Sequence, residues 1–552
     1  MALPCGTIER MSAATATSRS AAPTPTTPEP PRRRWWRPLP RVDRRWAAPT
    51  AFAIANAIAV IIISPGVNDI WAALARESAV GHGVGLTYWF SWFSGASVPA
   101  SYSVLVPFVS HLVGVRTLGA VAAVACTPLA WYALRRSPRV EIATWIATVL
   151  VAANLWSGRV PFIFGTAFAI AALCTLGRRS WVWTLVLGIL STLGSPVSGA
   201  FLALALVGIL VAEPTLRRAC LLTLGALAAS VLVVAIMFGT PGPQHFTFVE
   251  LLSCALPICV YLLTRPPEAL KVTLWLGLIA CPLLYLIPNG LGSNFQRFVW
   301  YCLPPVVVAY AGRRLLVALL ALAPVVVFGT IQTSTDIIEA ASPYASSAYY
   351  DSLVAELDRV GPPLRDQRVE VVDDGTHVAA FTLLDHAMLA RGWESQEDAQ
   401  LNPVLYDSDL NAVSYKVWLQ DNAVGFVAIS HRKHAPSYEY ALVANRKPDY
   451  LREMWHDAAW TLYRVEGSDH IVNPPVSVTR FTQAHLVLRV PCRCTFTVRA
   501  HWSRYLTAST KETATAQSRS AALSSDGLGW TVMHTDEPGT YTLSGSLTGL
   551  FK

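Results

Sequence analysis

Asp69 lies just past the first apolar run, in Ser64-Pro-Gly-Val-Asn-Asp69. An isolated carboxylate there has the makings of a general base, able to take a proton from an acceptor hydroxyl. Two guanidiniums also stand at turns between apolar runs: Arg159 in Trp156-Ser-Gly-Arg159, and Arg297 in Asn289-Gly-Leu-Gly-Ser-Asn-Phe-Gln-Arg297. Arginine suits bidentate binding of a phosphate, so the pair reads as a site for a lipid phosphate. Snorkelling or helix packing is the competing reading for each arginine, and N-capping of a helix over 70–77 is the competing reading for Asp69. Glu77 follows on the same stretch, about 12 Å along a helix, too far for a tight acid pair with Asp69. His82 and His111 have no second ligand at metal spacing, so no metal ligand set is assigned. A divalent cation such as Mg is compatible with phosphate chemistry but has no visible dedicated ligands.

These residues are positioned by a chain of 552 residues, 53% hydrophobic and 14% charged, with mean hydropathy +0.40. A soluble domain carries roughly 25% charge, so the composition describes a polytopic membrane protein. The charge is uneven about Gln332. Residues 1–332 hold 24 Lys/Arg against 9 Asp/Glu, or +15, and residues 333–552 hold 19 against 26, or −7. Apolar runs predict about 11 spans, near 47–64, 117–134, 140–156, 160–177, 181–196, 198–213, 219–238, 248–264, 272–287, 298–312 and 314–332. Basic residues fall at every second boundary: Arg135/Arg136/Arg139, Arg178/Arg179, Arg217/Arg218, Arg265/Lys271 and Arg313/Arg314. The positive-inside rule then puts the N-terminus in the cytoplasm and the C-terminal half outside. Because orientation accounts for the positive excess, no nucleic-acid partner is implied. Residues 1–46, rich in Pro, Thr and Ala and closing on Arg32-Arg-Arg-Trp-Trp-Arg37, read as a disordered cytoplasmic tail.

The membrane domain is thus expected over 47–332, with a first extracytoplasmic loop at 65–116. The C-terminal half divides into an α/β domain over 333–466 and a β-rich domain over 467–552, read as a small sandwich. Strands are predicted at 367–373, 424–430, 484–490 and 495–501, and helices at 346–360, 410–420 and 449–458. Of ten cysteines, only Cys492 and Cys494 face the outer compartment; on one strand they share a face, which permits a disulfide or two ligands.

Asn68-Asp69, the aromatic Tyr88-Trp89-Phe90 and Trp92-Phe-Ser-Gly95, and Pro99-Ala-Ser-Tyr102…Pro107 resemble the first extracytoplasmic loop of GT-C superfamily membrane glycosyltransferases. Gly292-Ser-Asn294…Arg297, Ala390-Arg-Gly-Trp-Glu394…Asn402 and Trp460-Thr-Leu-Tyr-Arg-Val465 are similar to motifs of actinobacterial integral membrane proteins with a 6-pyruvoyl-tetrahydropterin-synthase-related domain. The resemblance implies a GT-C-like fold and transfer of a sugar from a polyprenyl-phosphate donor to a cell-envelope glycan or lipid acceptor, at the outer face of a bacterial plasma membrane. Asp69 would be the base, Arg297 and Arg159 would hold the donor phosphate, and Glu77, Tyr88, Trp89, Tyr102 and Asn294 would contact the acceptor or the loop. A non-catalytic scaffold or transporter is the alternative; against transport, no internal repeat is visible and the spans are nearly free of charge.

Overall fold

The computed structural model describes residues 44–239, 242–311, 314–432, 437–510 and 521–547. The expected tail, with Cys5 and its arginine cluster, lies outside the described residues up to residue 43, and so does Arg313.

The N-terminal part is a layer of helices: α1 (Ala47–Ile63), α2 (Asn68–Gly81), α3 (Val106–Val113), α4 (Val115–Leu134), α5 (Val140–Trp156), α6 (Val160–Gly177) and α7 (Trp181–Gly194). It continues with α8 (Pro196–Ala212), α9 (Arg217–Phe238), α10 (Phe248–Leu263), α11 (Glu268–Leu286), α12 (Phe295–Arg297), α13 (Leu303–Tyr310) and α14 (Leu315–Ala340). The count of spans is corrected here. Five helices are long and apolar enough to cross a membrane: α4, α6, α9 with the turn before it, α11 and α14. Five more, α1, α5, α7, α8 and α10, are apolar but shorter. A helix of 17 residues is only about 26 Å long, against a hydrocarbon core of about 30 Å. The run expected as one span at 298–312 is a continuous helical stretch over 295–310 whose middle, Phe298–Cys302, is π-helical between α12 and α13. A hydropathy window registers apolarity and is blind to such a change of winding. Large apolar side chains stand exposed on these helices, Ile62 on α1, Leu232 on α9 and Ile338 on α14 among them, a surface suited to lipid and costly in water.

Beyond α14 the chain turns to mixed structure. Strands β1 (Arg368–Val371), β2 (Val424–Ser430), β3 (Leu451–His456) and β4 (Trp460–Val465) form a sheet in the order β1-β2-β4-β3, with β1 and β2 parallel and the other pairs antiparallel. Helices α15 (Asp351–Val360), α16 (Ala379–Thr382), α17 (Ser395–Leu401) and α18 (Ala412–Asp421) accompany it. The helix expected at 449–458 is instead β3, hydrogen-bonded to β4 from Leu451↔Val465 to His456↔Thr461. Pairing with a neighbouring strand outweighs a local helical pattern that buries little by itself.

Strands β5 (Ser477–Phe481), β6 (His485–Val490), β7 (Cys494–His501), β8 (Leu506–Thr510), β9 (Ala522–Ser525), β10 (Trp530–Thr535) and β11 (Gly539–Gly545) make two sheets, β5-β6-β11-β8 and β7-β10-β9. Alternate residues of both sheets meet in one core that includes Leu486, Leu488, Val498, Met533 and Leu543, the sandwich that the short alternating runs predict. Cys492 and Cys494 are joined in a disulfide.

Residues 45–552 form one compact unit. The segment after α1 is the reason: α2 and the aromatic run share a core with the sheet, where Trp71, Trp89 and Trp92 pack with Val369, Phe426 and Trp460. Backbone bonds tie it in, from Phe90 to Gln483 (3.1 Å) and from Leu389 to Ser91 (3.1 Å).

Candidate active site

Asp69, Arg159 and Arg297 come from three separate turns and meet. Asp69 Oδ2 is 3.6 Å from Nε of Arg159 and 3.5 Å from an Nη of Arg297. Each turn has a local cause. Asp69 sits in the first turn of α2, where the helix dipole favours a carboxylate. The position before that helix, Val67, offers no side-chain cap. Arg159 follows Gly158, whose φ is +70° and whose missing Cβ would lie 2.7 Å from Val67 and 2.9 Å from the Ile70 amide. Glycine therefore lets the α5–α6 turn press against the start of α2 and deliver Arg159 to Asp69. Arg297 ends α12, behind a turn in which Asn289 Oδ1 accepts from the amides of Leu291 (3.0 Å) and Gly292 (2.7 Å).

The two guanidiniums are nearly buried, 12% and 17% exposed, while the Asp69 carboxylate is 34% exposed. Arg159 donates to Tyr301 Oη (3.1 Å), and its Nε has no hydrogen-bond partner within the protein. Arg297 lies over the Phe162 ring at 5.5 Å. The contacts to Asp69 are thus loose ion pairs, with donors left over for an anion. A second carboxylate, Asp336 near the end of α14, stands 3.9 Å from Arg159 and accepts from Gln332 (3.0 Å). Two positive and two negative groups make the cluster neutral overall.

Tyr102 stands nearby, its hydroxyl within electrostatic reach of Asp69 and Arg297 on one side and of Glu394 and Arg76 on the other. Burial first, and the Asp69 charge second, push its hydroxyl up, so it stays a neutral O–H donor. Asn294 is three residues before Arg297, in the turn that starts α12. The remaining expected contacts lie elsewhere. Glu77 is half-buried beside the start of α4, near His111 and Arg116, and burial pushes its carboxyl up. Tyr88 is buried in the sandwich core and donates to the His501 carbonyl (2.7 Å). Trp89 is fully buried, stacked on Trp92 at 4.4 Å, and donates to Gln483 (3.3 Å). These two fasten the loop to the C-terminal half.

Sequence reasoning missed Asp336, Arg76 and Glu394. An acid census closed at Gln332 stops just short of Asp336, yet its place at the end of the last apolar run was a usable signal. Arg76 and Glu394 form a buried ion pair across the loop and the C-terminal half, and nothing in their spacing announces it. A third cluster is closed on itself: Arg391 binds Asp398 (3.0 and 3.1 Å), Glu370 (3.3 Å) and Glu439 (2.9 Å), and Asn402 and Tyr406 donate to Asp398 as well. Among the described residues no group of three or more His, Cys, Asp or Glu is set to hold a metal ion. A cation at Asp69 and Asp336 would have to displace the guanidiniums, so no step is routed through one.

No protein-family model matches the chain, and no curated protein matches it; the narrower likeness to pterin-synthase-related membrane proteins gains no support. Among solved structures the chain is similar to the Archaeoglobus fulgidus oligosaccharyltransferase, crystallised with a tethered acceptor peptide containing the NVT sequon. The two are 13% identical over 70% of this chain and 69% of that one, with a TM-score of 0.42. A likeness that weak leaves both fold and activity to be argued from the residues themselves.

Proposed function

We propose that the chain is a GT-C-like membrane glycosyltransferase that moves a sugar from a polyprenyl-phosphate donor to a cell-envelope acceptor at the outer face of a bacterial plasma membrane. One observation carries the reading: two nearly buried guanidiniums converge on a single partly open carboxylate without closing hydrogen bonds to it. In the reaction Asp69 takes the proton of the acceptor hydroxyl as its oxygen attacks the anomeric carbon. The bond from that carbon to the phosphate oxygen breaks, and the polyprenyl phosphate leaves with its electron pair. Arg297 and Arg159 stabilise the negative charge that grows on this leaving group. Donor binding also weakens the hold of both arginines on Asp69, which makes the carboxylate a better base at the moment it is needed.

The proposed orientation is supported by the order of the same helices. Asp69, Arg159 and Arg297 lie at the ends of the layer opposite the basic turns Arg135/Arg136/Arg139, Arg178/Arg179 and Arg217/Arg218, on the side from which α14 enters the C-terminal half.

The test is binding of farnesyl phosphate to the full-length protein in lipid nanodiscs. Arg297→Ala is expected to lose about tenfold or more in affinity, and Arg297→Lys less than Ala, since Lys keeps the charge without the planar fork. Equal affinity in wild type and Arg297→Ala removes Arg297 from the site and leaves a scaffold or transporter as the better reading.

A further inference from the structure

We propose that Glu394, acting through Arg76, is a positioning residue for Tyr102 at the Asp69 site, so that the C-terminal half sets the geometry in which the donor phosphate is held. The inference rests on the phosphate reading above.

A column of contacts runs from the C-terminal half to the site. Gly392 lies against the Trp92 ring so closely that a Cβ would sit 2.4 Å from its Cδ2. Trp92 is fully buried and donates its Nε1–H to the Ala380 carbonyl (2.9 Å). The Arg76 guanidinium lies 5.2 Å from the Trp92 ring and 5.2 Å from the Tyr102 ring. Its far end donates to Glu394 Oε2, its near end to the Ala72 carbonyl (3.4 Å), and its Nε has no partner within the protein. Arg76 and Glu394 are 3% and 9% exposed, so this charge pair is cut off from water. Tyr102, at the end of the column, senses Asp69 and Arg297 next.

The column makes Glu394 more than a packing group. A buried guanidinium must keep a counter-charge, because an unpaired buried charge is strongly unfavourable. Glu397 is the other carboxylate facing Arg76, with Ser97 Oγ donating to it at 3.0 Å. Burial, and then the Glu394 charge, push it up to about 8, so near neutral pH it is protonated while Glu394 is ionised. With Glu394 neutralised, the push of its charge on Glu397 is lifted, and Arg76 turns toward Glu397 and leaves the Tyr102 ring without its cationic platform. The Tyr102 hydroxyl, which has Asp69 and Arg297 as its electrostatic neighbours, then shifts relative to the phosphate that Arg297 is proposed to hold.

A double-mutant cycle tests this with farnesyl phosphate and the full-length protein in nanodiscs. Tyr102→Phe removes a hydrogen bond to a charged group and is expected to cost about tenfold in affinity. Glu394→Gln is expected to cost a similar factor in the wild-type background and almost nothing further in Tyr102→Phe, while Glu394→Asp recovers most of the affinity. Equal losses from Glu394→Gln in both backgrounds overturn the proposal. Should Glu394→Gln fail to fold, Arg76→Lys takes its place in the cycle, since it keeps the charge but not the planar stack, and the same non-additivity is required of it. Arg297→Ala separates the two failures. Affinity like wild type in that variant overturns the phosphate reading, whereas its loss together with an additive cycle overturns the positioning role alone.

Discussion

Replacing Asp69 by Asn separates a base from a structural carboxylate, because the two readings move binding and turnover in different directions. The substitution keeps the shape and removes one negative charge lying 3.6 Å from Arg159 and 3.5 Å from Arg297. With the carboxylate 34% exposed, solvent screens both pairs, and each is worth about 0.5–1 kcal/mol at most. Freed from them, the guanidiniums should bind farnesyl phosphate about 5–30-fold more tightly, the equivalent of about 1–2 kcal/mol. Turnover should fall by about 10²–10⁴, since an amide accepts no proton near neutral pH. The assay pairs farnesyl phosphate binding with restoration of envelope glycan in a deletion strain, using Glu77→Gln and Glu250→Gln as controls. Both controls are expected to restore the glycan: Glu77 lies half-buried beside the start of α4, near His111 and Arg116, and Glu250 closes a capping box with Thr247 at the start of α10, a role glutamine also fills. Full restoration by Asp69→Asn, or weaker phosphate binding in it, would refute the reasoning.

Two further outcomes are expected. A reporter fused after Lys552 should be active only outside the cytoplasm and one fused after Arg136 only inside it; a cytoplasmic C-terminus would move the Asp69 site to the wrong face. Glu397 bears on pH: its folded value is pushed up to about 8 from an ordinary 4.5, so its neutral form is favoured by folding. Its contribution is complete below about pH 4.5 and is lost as pH rises through about 8. The apparent unfolding midpoint should therefore fall between pH 5 and pH 8, and Glu397→Gln should flatten that fall in part, since burial raises Glu394, Glu370 and Glu439 as well. An unchanged slope in Glu397→Gln would count against a protonated Glu397.

The sequence speaks most clearly where a residue is out of place in its surroundings. Asp69, Arg159 and Arg297 are charges at turns between apolar runs, and each could be singled out alone, although the meeting of all three depends on Gly158 and on the Asn289 turn ahead of α12. Strand β2 is a continuous apolar run buried along its whole length and is legible to the residue. Strand β3 is not: five of its six residues are at least partly exposed, so its state is decided by β4 and not by its own pattern. The number of spans fails for a similar reason. Apolarity is local, but whether a run of 14–17 residues crosses, tilts or stops depends on what packs beside it.

Pairings over long sequence separations were the least visible. Arg76 and Glu394 are 318 residues apart, and each alone reads as a solvated charge on a helical or loop surface. Their burial is a property of the assembled core, in which Trp92 and Gly392 exclude water from both. Asp336 is an intermediate case. It was readable as an acid closing an apolar helix, but its relevance arises only when α14 brings it within 3.9 Å of Arg159. Its charge balances the second guanidinium, so the four groups together carry no net charge. On the proposed reading a donor phosphate would bind by displacing Asp69 and Asp336 from donors they hold loosely, so that the same arginines would both keep the resting carboxylate in place and release it as a base.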